Sequence, residues 1–378
     1  MYFPHTLLLS FAALATAIPL SRPALNCFDI TVPVEVDANV LTFDVAPFTD
    51  TYQSKEFLVK SIARDANPAA LVGNTTQLKK TYNIAASYCE PLHPSTQAKT
   101  LQILTHGLGF DKSYWSFGNA TYNYVQAATT AGYSTLAYDR IGVGASDHPD
   151  PYLDVQAPTQ VAVLTQLTQL ARDGKLSSRI PKPEKVVHVG HSYGSLVSNA
   201  LAAAQPSLSD GLVLTGFSHN SSFTSSFLWP LSFHLAREEN PRLFGGLSSG
   251  YLTWGDKYDN QAAFFNYPFF DTAVLEQAEK NKAPFALAEV LSITAVPLAA
   301  PQFKGPVLMI SGQFDLAFCG GDCAGILEGP YSLTPFVFPA SSDLQTYIQP
   351  NSGHGLNLHL NASAGYEVIT SFLHTNKL

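Results

Sequence analysis

The most constraining feature of this chain is residues 186–196, Val186-Val187-His188-Val189-Gly190-His191-Ser192-Tyr193-Gly194-Ser195-Leu196. Its Val-rich start has the composition of a buried strand, and the Ala-rich run at 195–204 has that of a helix. Only Gly190-His191-Ser192-Tyr193-Gly194 lies between them. The chain must therefore pass from strand to helix in one sharp turn. The two glycines let the backbones approach, and Ser192 is left on a strained turn, the setting of a nucleophile elbow. A Gly-x-Ser-x-Gly match arises easily by chance, and its weight here comes from the strand before it and the helix after it.

The surrounding pattern agrees. Short apolar strands are expected at 101–105, 134–138, 186–189, 212–215 and 307–310, and helices at 123–131, 159–171 and 195–204. Such alternation predicts an α/β fold, with a mostly parallel central sheet covered by helices on both faces. Before it, 18–100 holds β-like runs at 32–36, 55–63 and 82–89, broken by prolines, and is expected to form an N-terminal extension with antiparallel edge strands. From 217 to 300 the alternation lapses and aromatics crowd in, among them Phe227, Trp229, Trp254, Phe264 and Phe285. This segment is expected to be a lid inserted between two sheet strands, most of its rings packing its own core. The core is then 101–216 with 301–378. With 46% hydrophobic and 13% charged residues, the 378-residue chain can bury such a core unaided.

Other motifs fall in a telling order. Leu104-Thr105-His106-Gly107-Leu108-Gly109 resembles the His-Gly loop after the third strand of the α/β-hydrolase family. Tyr138-Asp139-Arg140-Ile141-Gly142-Val143-Gly144-Ala145-Ser146-Asp147 looks like that family's Asp-Arg-x-Gly-x-Gly-x-Ser turn after the fourth. A dinucleotide loop is the competing reading of this second segment, but Asp147 replaces the third glycine of that fingerprint. The resemblance runs from about residue 101 to the C-terminus and points to a secreted serine esterase or lipase-like branch. It implies that the acid follows the elbow and that the histidine comes last.

Asp315 fits the acid, because Gln313-Phe314-Asp315 turns out of the strand at 307–310; Asp322, Glu328 and Asp343 are alternatives. His354, in Ser352-Gly353-His354-Gly355, fits the base, with His359 as its rival and His374 too near the chain end. The implied chemistry is acyl transfer by Ser192, His354 and Asp315, with the backbone N–H groups of Leu108 and Tyr193 as an oxyanion hole. His106 is expected to brace the oxyanion loop. Serine at 192 argues against epoxide hydrolase or dehalogenase chemistry, for which similar enzymes use Asp at the elbow.

An apolar run at 6–17 ending in Ala15-Thr16-Ala17 reads as a signal peptide over 1–17, with the mature chain starting near Ile18 and secreted. Sequons at Asn74, Asn119, Asn220 and Asn361 agree with glycosylation on that route. The even cysteine count allows two disulfides. Cys27–Cys89 would anchor the extension, and Cys319–Cys323 would close a tight ring made possible by Gly320-Gly321. Cysteine spacing shows no zinc-finger pattern, and no metal or cofactor is called for.

A second apolar stretch at 283–301 contains Glu289 and Pro297, so no membrane span is expected there. Nucleic acid is not an expected partner, since the net charge is -8 and Lys and Arg are scattered. The sequence leaves the oligomeric state open. The expected partner is a hydrophobic small-molecule ester or lactone, hydrolysed through an acyl-enzyme. A lyase or cyclase using the same site, and a non-catalytic ligand-binding protein, are the competing readings.

Overall fold

The computed structural model describes residues 25–378 apart from 92, 94 and 331. The expected signal peptide at 1–17 lies outside the described residues. The chain opens with two long strands, β1 (Asn26–Phe43) and β2 (Val72–Glu90), paired antiparallel with Cys27 directly opposite Cys89. Then come β3 (Thr100–Thr105), β4 (Ser134–Tyr138), β5 (Lys185–His191) and β6 (Gly211–Thr215). A small three-stranded sheet follows, built from β7 (His234–Leu235), β8 (Tyr251–Thr253) and β9 (Phe285–Ala286), before β10 (Val307–Gly312) and β11 (Leu344–Gln349).

The main sheet has eight strands in the order β1-β2-β4-β3-β5-β6-β10-β11. From β4 to β11 every neighbouring pair is parallel. Parallel strands must return over a face of the sheet, so both faces are covered and the strands read as unbroken apolar runs. Every residue of β3, β6 and β10 is buried. Because the strands run in one direction, their C-terminal ends open on one edge, and the loops after β3, β4, β5, β6, β10 and β11 meet there.

One expected strand is a helix. Residues 55–63 were expected to be β-like, but α1 spans Thr51–Ser61. Asp50 caps it by accepting a hydrogen bond from the N–H of Gln53, Glu56 and Lys60 pair across one turn at 3.0 Å, and its buried residues, Ser54 and Leu58, are four apart. The apolar Phe57-Leu58-Val59 run suggested alternation, whereas the capping residue lay just upstream.

The helices α2 (Tyr124–Thr130), α3 (Ala157–Asp173) and α4 (Tyr193–Ala204) lie where the sequence places them, and a fifth, α5 (Thr224–Leu231), opens the long connection from β6 to β10. No helix among the described residues is long and apolar enough to cross a membrane. Disulfides join Cys27 to Cys89 and Cys319 to Cys323.

The Cys27–Cys89 link spans 62 positions of sequence. Closing a loop of that size restricts the unfolded chain and contributes roughly 4 kcal/mol in the chain-entropy model. Replacing both cysteines by Ala is expected to lower equilibrium stability by about that amount in denaturant titration; a loss under ~1 kcal/mol would contradict this role.

Candidate active site

Ser192 follows β5 and caps α4 with φ 55° and ψ -118°. A side chain in that backbone region costs about 1–3 kcal/mol, so the neighbours must impose it. The Ser192 N–H donates to Thr215 O at 2.8 Å, and Ser192 O accepts from the Ser195 N–H at 2.8 Å. A Cβ at Gly194 would stand 2.0 Å from Thr105 O, so only glycine lets α4 press onto the end of β3.

His354 follows β11 in a turn held by side chains. Gln349 Nε2 donates to Ser352 Oγ at 2.9 Å, and Asn361 Nδ2 donates to Pro350 O at 2.6 Å. His354 Nε2 lies 2.8 Å from Ser192 Oγ, and its Nδ1 lies 2.8 Å from Asp315 Oδ2. Asp315 caps the short helix Leu316–Cys319, its Oδ1 accepting from the Phe318 N–H at 3.0 Å, and the Cys319–Cys323 disulfide closes the loop behind it. All three side chains are buried, Ser192 being the most open at 6% exposed. Of the alternative acids, Asp322 and Glu328 are exposed, and Asp343 lies at the opposite edge of the sheet, just before β11.

The other histidines have separate tasks. His106 Nδ1–H donates to Gly107 O at 2.9 Å, and its Nε2 accepts the Arg140 N–H at 3.0 Å. Burial, and then the charge of Arg140, hold its pKa well below the ordinary value. His359 is a brace: its Nε2 accepts the N–H groups of Gly353 and Asn266, each at 3.0 Å, and its Nδ1–H donates to Gly355 O at 2.9 Å. His191 stacks on Tyr114 at 4.4 Å and lies 5.2 Å from the His354 ring. Nothing local in the sequence marks His191, because only packing brings its ring between Tyr114 and His354. His374 is exposed on the last helix.

Ser192 opens on a pocket lined by Leu108, Tyr193, Leu196, Phe217, Phe227, Leu228, Ile293, Leu298 and Phe318, with Ser218, His219 and Asn220 as its polar edge. Neither the Leu108 nor the Tyr193 N–H donates to a partner among the described residues. Among the aromatics of 217–300 singled out from the sequence, Phe227 lines the pocket, and Phe264 lies 5.8 Å from the His354 ring. Trp254, Phe264 and Phe285 pack the interior, while Trp229 is 61% exposed.

A buried Ser-His-Asp chain at a strand-to-helix corner on a parallel sheet defines a class of enzyme site. A model of the alpha/beta hydrolase family matches residues 102–365, and the chain belongs to that family. Among solved structures it is similar to a thermophilic esterase from Thermogutta terrifontis (17% identity, TM-score 0.52, 78% of this chain and 94% of that one). It is also similar to epoxide hydrolase A from Mycobacterium thermoresistibile (17%, 0.51, 77% and 95%) and to the enol-lactonase from Burkholderia xenovorans LB400 (18%, 0.50, 78% and 97%). At such identities these likenesses show the fold. No curated protein matches the sequence. Membership of this family supports a hydrolase.

The bonds of His359 need its neutral form, and burial lowers its pKa from 6.5 to about 4. Between those values the unfolded chain binds a proton that the folded chain refuses. Its stabilising contribution is therefore full above about pH 6.5 and is lost as pH falls through about 4. His359→Gln is expected to be less stable than the natural protein at pH 7 yet to lose less stability between pH 7 and 4, measured by denaturant midpoints. Parallel pH profiles for the two proteins would show that His359 carries no such linkage.

Proposed function

We propose that this protein is a serine hydrolase that cleaves a carboxylic ester or lactone of a hydrophobic small molecule. The observation that carries the proposal is the continuous hydrogen-bond chain from Asp315 through His354 to Ser192, 2.8 Å at each step, at the mouth of an apolar pocket. In this reading His354 Nε2 takes the Ser192 proton as Oγ attacks the carbonyl carbon, and Asp315 fixes the tautomer and balances the imidazolium. The carbonyl electrons move onto oxygen, where the Leu108 and Tyr193 N–H groups and the N-terminus of α4 face the new charge. Collapse of the intermediate expels the alkoxide, which takes the proton from His354. Water, deprotonated by His354, then releases the acid from Ser192 and restores the enzyme.

The connection over 217–300 acts as a lid in this proposal. It contributes Phe227, Leu228, Ile293 and Leu298 to the pocket, and none of these offers a charge to an ionic substrate. Serine at the elbow favours ester cleavage over the Asp-based chemistry of epoxide hydrolases. We further propose that the chain is exported. Two disulfides suit an oxidising compartment, and Asn74 and Asn119 are exposed for glycosylation. Asn361 is less suited, since its amide nitrogen already bonds Pro350 O at 2.6 Å. Asn220 stands at the pocket rim.

A fluorophosphonate probe is expected to label Ser192, as mapped by peptide mass spectrometry. Ser192→Ala and His354→Ala should abolish labelling, and Asp315→Asn should slow it; a different modified serine refutes the assignment. For straight-chain esters, each buried methylene is worth about 0.8 kcal/mol, so kcat/KM should rise roughly three- to fourfold per carbon until the pocket fills. Phe227→Ala and Leu228→Ala should flatten that rise. Acetate esters emerging as the best substrates would overturn the apolar-pocket reading while leaving the serine assignment intact.

A further inference from the structure

Arg140 and Glu289 are both fully buried and form an ion pair, although Arg140 follows β4 and Glu289 sits in the short helix Leu287–Leu291, late in the β6–β10 connection. The rest of the Arg140 guanidinium faces the loop after β3: Nε donates to His106 O at 3.1 Å and Nη2 to Gly107 O at 3.2 Å. Its carbon lies 4.7 Å from the centre of the Tyr193 ring. Glu289 is equally engaged. Its Oε1 also accepts from Gln160 Nε2 at 2.9 Å, and its Oε2 accepts from the Ala286 N–H at 3.0 Å.

Gly107 O thus receives two donors, Arg140 Nη2 and His106 Nδ1. A peptide unit is planar and trans, so fixing that oxygen fixes the Leu108 N–H on the opposite side of the same plane. Gly107 itself lies against the elbow, since a Cβ there would come within 3.0 Å of Ser192 Cβ. The same guanidinium packs on the ring of Tyr193, whose backbone N–H is the other candidate donor.

We propose that Arg140 and Glu289 are a positioning pair that aims both oxyanion donors at the reacting carbonyl and makes that aim depend on the seating of the β6–β10 connection. This deepens the serine hydrolase reading and rests on it. Arg140 acts through the Gly107–Leu108 peptide and through Tyr193. Glu289 holds Arg140 in place and neutralises its buried charge. A buried pair of this kind is weak evidence for added stability, because matched apolar residues can replace one at little cost. That fact separates a positioning role from a structural one.

The probe is an octyl trifluoromethyl ketone, to whose carbonyl carbon Ser192 Oγ adds. The carbonyl electrons become an oxyanion in the hole, and the Oγ proton passes to His354. The corresponding alcohol fills the same pocket without adding. Arg140→Met/Glu289→Leu is expected to fold and to bind the alcohol as the natural protein does, but to bind the ketone roughly tenfold to a hundredfold more weakly, as for partial loss of an oxyanion donor. Its kcat should fall with KM little changed. Glu289→Gln, which keeps the shape, should show a smaller loss in the same direction, and it provides the test if the double variant does not fold. Ketone preference equal to that of the natural protein in the folded variant would overturn the positioning role. If the natural protein itself bound the ketone no better than the alcohol, the serine reading would fail first.

Discussion

The site depends on one close approach, that of the α4 N-terminus to the ends of β3 and β5. With Thr105 O only 2.0 Å from where a Gly194 Cβ would stand, the helix can start there only without a side chain. The consequence is the unusual backbone of Ser192 at φ 55°. Strain of this order persists only when tertiary structure imposes it, and the buried central strands β3, β5 and β6 supply that rigidity. The elbow thereby holds Oγ 2.8 Å from His354 Nε2, and it leaves the first N–H groups of α4 without helical partners.

Beyond the elbow, the site is held by neutral and paired polar groups that fix loops. His359 accepts two backbone N–H groups and His106 accepts one, each in a place where burial disfavours the imidazolium. Both act on peptides next to the proposed chemistry: Gly353 precedes His354, and Gly107 precedes Leu108. The buried Arg140–Glu289 pair extends the same logic to the β6–β10 connection, tying the loop after β3 to the segment that carries Glu289. An unsatisfied group in any of these positions would cost about 1–3 kcal/mol.

Much of this was legible in the sequence because it is local. The strand-turn-helix pattern at 186–204, Asp315 after an apolar strand and His354 after the last one are all placed by their neighbours in the chain, and the sheet follows from the same alternation. What stayed hidden was non-local. Glu289 looked only like an interruption in an apolar run, since its partner stands 149 positions away. His359 seemed a rival base because its two N–H donors come from different segments. The helix at 51–61 is hidden because three apolar residues in a row read as a strand despite the Asp50 cap, and nothing local says which aromatic of 217–300 turns toward the pocket.

The central claim is that Ser192 carries a covalent acyl group during turnover. Rapid acid quench of the protein with excess 4-nitrophenyl octanoate, followed by intact-mass and peptide analysis, tests it directly. The account predicts a transient adduct of one octanoyl group per chain, located on the peptide containing Ser192, with a matching burst of nitrophenolate. Steady hydrolysis with an adduct on another residue, or hydrolysis abolished by neither Ser192→Ala nor His354→Ala, would contradict it.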